Sequence, residues 1–108
     1  MNVETLLSKL PLKALALPEA DREITGGYIG DLLSWVMGKA QSGDAWITIM
    51  SNINIVAVAS LTDVACIILA ENVQLDEAVI TLANDKGVNI LSYEGDAFAL
   101  AGKLSELL

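Results

Sequence analysis

Three short runs of β-forming, almost wholly apolar residues punctuate the second half of the chain: AWITIM (45–50), VACIILA (64–70) and VNILS (88–92). A strand with no polar alternation has no face to give to water, so it belongs in a sheet covered on both sides. The segments after each run have helical patterns. NIVAVASL (54–61) is apolar on every side and reads as a buried helix. LDEAVITLANDKG (75–87) has Asp76 as its cap, Val79, Leu82 and Ala83 as its buried face, and Gly87 as its stop. DAFALAGKLSELL (96–108) is capped by Asp96 and carries Phe98, Ala101 and Leu104 as a stripe. Strand–helix alternation of this kind predicts a parallel sheet with right-handed crossovers. The expectation is an α/β fold, with residues 1–108 forming a single compact domain whose mostly parallel sheet is covered by helices.

The first half is less regular. VETLLSKL (3–10) sets Leu6, Leu7 and Leu10 on one helical face, which Pro11 ends. KALAL (13–17) is a candidate strand, residues 18–21 a turn, and REIT (22–25) an extended piece. DLLSWVMGKA (31–40) predicts a helix started by Asp31, burying Leu32, Leu33, Val36, Met37 and Ala40, with Gly43 behind it. No internal repeat, linker or low-complexity segment is visible.

Composition narrows the function. The 108 residues are 54% hydrophobic and 19% charged, which fits one packed domain. A chain this small leaves part of that apolar surface outside, which favours a homo-oligomer interface. The net charge of −8 disfavours nucleic acid and anionic membranes. One cysteine and no histidine rule out an internal disulfide, a structural zinc site and a histidine-dependent triad. This suits a reducing cytoplasm, with no metal or cofactor expected. The apolar stretch 53–70 is broken by Asn54, Ser60, Thr62 and Asp63, so no membrane span is predicted.

Parallel sheets take ligands at the carboxyl ends of their strands. The segments expected there are Ser51-Asn52-Ile53-Asn54, Glu71-Asn72 and Ser92-Tyr93-Glu94. Their amides and hydroxyls suit a neutral or phosphorylated ligand, and equally suit turns and helix caps. The stretch DREITGGYIGD (21–31) holds the sole arginine and three of the glycines. TGGYIG (25–30) matches a dinucleotide fingerprint except for Thr25 in place of its first glycine, and no phosphate-binding loop is present. Arg22 is suited to clamping a carboxylate or phosphate, or to an ion pair within the fold. Trp35 and Trp46 read as core or interface residues and Cys66 as an inert core thiol. Asp31, Asp44 and Asp63 form no spaced catalytic pair.

DREITGG, followed by GYIGDLLSWVMGKAQSGDAWITI and NIVAVASL, resembles the DRTGG domain family from about Asp21 to residue 108. The letters fall on Asp21, Arg22, Thr25, Gly26 and Gly27, interrupted by Glu23 and Ile24. That family is similar to the N-terminal domain of HPr kinase/phosphorylase and also occurs beside CBS domains in pyrophosphatases. The resemblance implies a compact α/β domain, paired into dimers, with a regulatory or ligand-sensing role and without the kinase chemistry. It also suggests that Gly26 and Gly27 form a turn fixed by Thr25 and Arg22. The expectation is therefore a non-catalytic regulatory or interaction module, a homodimer sensing a nucleotide or phosphorylated metabolite. The alternatives are a structural subunit docked on a larger redox or kinase complex, or a phosphotransferase. The ligand-binding candidates are Arg22, Thr25, Gly26, Gly27, Tyr28, Ser51, Asn52, Asn54, Ser92 and Tyr93. No catalytic or metal-binding residue is expected.

Overall fold

The computed structural model describes residues 1–108. In chain order the elements are α1 (Val3–Lys9), β1 (Lys13–Ala16), β2 (Gly26–Ile29), α2 (Leu33–Lys39), β3 (Asp44–Thr48), α3 (Asn54–Thr62), β4 (Cys66–Leu69), α4 (Glu77–Lys86), β5 (Ile90–Ser92) and α5 (Ala97–Leu107). They form one five-stranded sheet in the order β1-β5-β4-β3-β2. Strands β2 to β5 run parallel, and β1 pairs antiparallel with β5. The α/β architecture read from the sequence is thus present.

Each step from β2 to β5 moves one strand over in the same direction. Right-handed crossovers then put α2, α3 and α4 on one face. The side chains divide accordingly, with alternate strand residues on opposite faces. Trp46, Ile67, Leu69 and Ile90 pack with Val36, Ile55, Val56, Val79 and Ala83 on that face. Ala45, Ile47, Cys66, Ile68 and Leu91 meet Val3, Leu6, Leu100 and Leu104 of α1 and α5 on the other. All of β3 and β4 is buried. Trp46 lies wholly in the core, and its indole N–H donates to the Gly30 carbonyl at 2.9 Å. The one buried asparagine, Asn89, fastens the turn at residues 18–21 to the sheet. Its Oδ1 accepts from Glu19 N–H at 2.9 Å, and its Nδ2 donates to the carbonyls of Glu19 (2.7 Å) and Ala65 (3.0 Å).

Several local expectations are corrected. The glycine doublet forms no turn. Gly26 and Gly27 open the edge strand β2, and neither has a positive φ. The left-handed glycine nearby is Gly43, φ 86°, in the turn into β3, where it faces Thr25. Gly26 does sit in a close approach, since a Cβ there would lie 2.7 Å from Asp44 Oδ1. Gly27 has ordinary room, with its nearest neighbours at 3.6 and 3.7 Å. Helix α2 begins two residues after Asp31, which does not cap it. Asp31 Oδ1 accepts instead from Thr48 Oγ1 (2.8 Å) and Ile49 N–H (3.0 Å), tying the exits of β2 and β3 together. Of the apolar face expected for α2, only Val36 is buried, while Leu32 and Met37 are exposed. On α5 the stripe is Leu100 and Leu104, and Phe98 is 89% exposed. Asp96 caps α5 by accepting from Ala99 N–H, whereas Asp76 holds the cap position of α4 without a side-chain bond. Trp35 is exposed, with the Lys39 ammonium 4.9 Å from its ring centroid. Cys66 is fully buried, and burial pushes its thiol up to about 12, which keeps it protonated and unreactive at neutral pH.

The glycines are therefore not equivalent. Gly43→Ala combines left-handed backbone with a clash against Thr25 and is expected to cost about 2 kcal/mol or more. Gly27→Ala is expected to change stability by less than about 0.5 kcal/mol. Urea unfolding midpoints of the two variants check this, and equal losses would refute it.

Candidate functional site

The two edges of the sheet are built differently. At the amino edge a polar network closes the structure around Asp63. Asp63 ends α3 in left-handed backbone, φ 59°. Arg22 Nη1 donates to Asp63 Oδ1 at 3.0 Å and Nη2 to its carbonyl at 2.9 Å. Ser42 Oγ donates to Asp63 Oδ2 at 2.6 Å, and Gly43 N–H also donates to the Asp63 carbonyl. Thr25 N–H donates to the Gly43 carbonyl at 2.9 Å. The Ser42 hydroxyl, and after it the Arg22 guanidinium, hold the Asp63 carboxyl below the usual carboxylate range. Arg22 is thus engaged in an ion pair within the fold, the structural one of its two readings. Arg22, Thr25 and Gly26 all lie at this end.

At the carboxyl edge, β1 matters because it is antiparallel. Its first residue, Lys13, pairs with Ser92, the last of β5. Between them opens a cleft of about 480 Å³, lined by Lys13, Asn72, Ser92, Tyr93, Glu94 and Gly95. The loop after β4 reaches it at Asn72, where two consecutive residues are left-handed, Glu71 (φ 61°) and Asn72 (φ 53°). Asparagine tolerates that backbone, and glutamate does so only at a cost. What holds it there is a pair of bonds to the exit of β5: Glu71 N–H to the Gly95 carbonyl (2.7 Å) and Asn72 N–H to the Tyr93 carbonyl (2.9 Å). Tyr93 is buried, and its ring folds over Gly95, where a Cβ would lie 2.7 Å from Cε2. Its hydroxyl accepts from Lys103 Nζ at 3.2 Å. The residues lining the cleft therefore include a lysine on β1, a serine ending β5, a glutamate after it and an asparagine in left-handed backbone. That inventory suits noncovalent recognition of a polar ligand.

The sequence candidates separate on this geometry. Ser92 and Tyr93 line the cleft. Ser51, Asn52 and Asn54 share the carboxyl edge but sit at the exit of β3, with β4 between. Asn52 Oδ1 accepts from Asn54 N–H at 2.9 Å and the Asn52 carbonyl from Ile55 N–H, so this segment starts α3. Tyr28 packs on the face of α2, and Gly27 borders a separate apolar groove of about 210 Å³ against α5. Lys13 was missed because nothing in KALAL tells that the strand runs against its neighbour. A second signal was present but unread: Tyr28-Ile29-Gly30-Asp31 and Tyr93-Glu94-Gly95-Asp96 repeat Tyr-x-Gly-Asp at two strand exits, each ring lying on its glycine. No three carboxylate or thiol side chains converge as metal ligands. No helix is long and apolar enough to cross a membrane.

Fold and cleft together describe a one-domain α/β module with a ligand-sized opening on the seam between its antiparallel and parallel strands. The sequence profile of the DRTGG domain matches residues 31–107, and the chain belongs to that family. The match begins after the Asp21–Gly27 stretch that carries the family's letters. No curated protein sequence matches the chain. Among solved structures the chain is similar to the CBS and DRTGG domains of the regulatory region of Clostridium perfringens pyrophosphatase, complexed with the activator diadenosine tetraphosphate. The TM-score is 0.71 at 15% identity, over 93% of this chain and 44% of that one. The chain thus spans less than half the length of this neighbour.

The Asp63 network has a pH signature. A carboxyl whose folded pKa is lowered stabilises the fold above its unfolded value of 3.8, and that stabilisation disappears as pH falls through the folded value. Asp63→Asn keeps a residue that accepts left-handed backbone. It is expected to lose about 0.5–1 kcal/mol near neutral pH, a modest figure because the pair is solvent-exposed. Urea midpoints measured from neutral pH downward should show the gap between variant and wild type closing below about pH 4.

Proposed function

We propose that this chain is a non-catalytic regulatory module that binds a small phosphorylated ligand, a nucleotide or a phosphorylated metabolite, in the cleft between β1 and β5, and that it works as a homodimer. The observation that carries the reading is the cleft itself: about 480 Å³ of space at the carboxyl edge, lined by Lys13, Asn72, Ser92 and Tyr93 among others. Its support is the shared fold with a regulatory region solved with a dinucleoside polyphosphate activator. In this reading the Lys13 ammonium meets phosphate oxygens, while Ser92 and Asn72 hydrogen-bond the remaining polar atoms. A fixed rim that costs backbone strain is common at ligand sites, and the left-handed Glu71-Asn72 pair has that character. A phosphotransferase is disfavoured because the sequence carries no histidine and no phosphate-binding loop.

The test is a thermal-shift screen followed by titration calorimetry with AMP, ATP, diadenosine tetraphosphate and acetyl phosphate. One of them is expected to stabilise the protein, by about 2.7 kcal/mol at a hundred times its Kd. Lys13→Ala and Asn72→Gly are expected to weaken binding at least tenfold, and Arg22→Ala to leave it unchanged. No shift with any probe at millimolar concentration, or binding indifferent to both cleft variants, would discard the proposal.

A further inference from the structure

The outer edge of β2 is open, and its main-chain polarity can be read from the sheet. The carbonyls of Asp44 and Thr48 accept from Ala65 and Ala70, so the even-numbered residues of β3 face β4. The odd-numbered ones face β2, and Gly30 N–H donates to the Ile47 carbonyl at 3.2 Å. With the two-residue period of a strand, Gly26 and Tyr28 turn their N–H and C=O groups inward, while Gly27 and Ile29 turn theirs outward.

The opposite edge, β1, is protected in two ways used against sheet-to-sheet pairing: it carries Lys13 and a register shift between Ala14 and Ala16. The β2 edge has neither. Its four residues, Gly26–Ile29, are uncharged and pair with β3 in unbroken register. Charge is also arranged to permit approach. Residues 24–42 contain one acid, Asp31, and one base, Lys39, in a chain of net charge −8. Two copies can meet there without the like-charge repulsion they would have elsewhere.

We propose that β2 is the docking edge for a second copy of this chain, paired antiparallel about a two-fold axis through Tyr28, so that the two sheets become one. This rests on the homodimer proposed above and names its surface. The occupant is a second copy because the complementarity lies within β2 itself. In this register Gly27 of each copy stands opposite Ile29 of the other, as hydrogen-bonded pairs that use the outward groups. Ile29 is 50% exposed, on the same sheet face as the apolar groove bounded by Gly27, Ile47, Ala101, Leu104 and Leu108. The isoleucine of one copy enters the space left by the glycine of the other. Tyr28 meets Tyr28 on the opposite face as a close, non-hydrogen-bonded aromatic pair.

The experiment is sedimentation at micromolar concentration on the wild type, Ile29→Lys and, as a control on the exposed surface of α3, Leu61→Lys. The wild type and Leu61→Lys are expected to be dimers. Ile29→Lys, at a half-exposed position, is expected to fold normally by circular dichroism and raise the dimer Kd by about 100-fold or more. Tyr28→Cys gives a second readout, since mild oxidation should then link two copies by a disulfide at the axis. The wild type, whose sole thiol is buried, should give none. A dimer that survives Ile29→Lys and yields no Tyr28→Cys cross-link overturns this surface and leaves the homodimer standing. A monomeric wild type overturns both, and ligand binding is then judged by the calorimetry alone.

Discussion

The structure depends on the burial of β3 and β4 on both faces at once. Every residue of these two strands is buried, and all but Asp44 and Thr48 are apolar. Neither face can be left to water, so helices must cover both, and parallel connections supply them. The strands advance in a single direction across the sheet, so the three crossovers fall on one face. The other face needs α5 from one end of the chain and α1 from the other. The N-terminal helix is thereby required by the core, and β1 arrives at the sheet as the link that brings it back.

That arrangement separates two kinds of polar chemistry. At the amino edge Arg22, Ser42, Thr25, Gly43 and Asp63 satisfy one another and draw the entry to β3 against the end of α3. Their side chains are occupied by the fold. At the carboxyl edge the loops after β4 and β5 bind each other through main-chain groups, and Ser92, Asn72 and Lys13 are among the residues that line the opening. Of the two readings open to Arg22 the geometry shows the ion pair within the fold, whereas the residues that line the cleft belong to no motif.

The parts of the fold that burial pattern governs were legible from sequence. Runs such as CIIL and NIL are too apolar for anything but a covered sheet, and the helices between them have clear ends at Asp96 and Gly87. The legibility failed where a residue's role is set by its neighbours in space. Gly26 and Gly27 are poor strand formers by propensity, and they form one because β3 offers an adjacent edge. Phe98 and Leu100 both fit a helical stripe, and only the position of the sheet decides between them. Asp31 sits where a cap would sit, but Thr48 and Ile49 claim its carboxylate. Of the residues lining the cleft, Ser92 and Tyr93 follow from the rule that ligands gather at strand ends, while Lys13 depends on strand direction, which short runs do not encode.

The antiparallel seam carries one more implication. An outermost strand frays at a lower free energy than the middle of a sheet, and β1 is held on one side only, across a register shift. The opening is therefore shared between a firmer wall, β5, held by strands on both sides, and a looser one, β1, held on a single side. Any guest touching Lys13 and Ser92 together stitches the loose wall to the firm one. Its grip would then depend on the free energy of lifting β1, and α1, which precedes β1 in the chain, packs on the far side of the sheet.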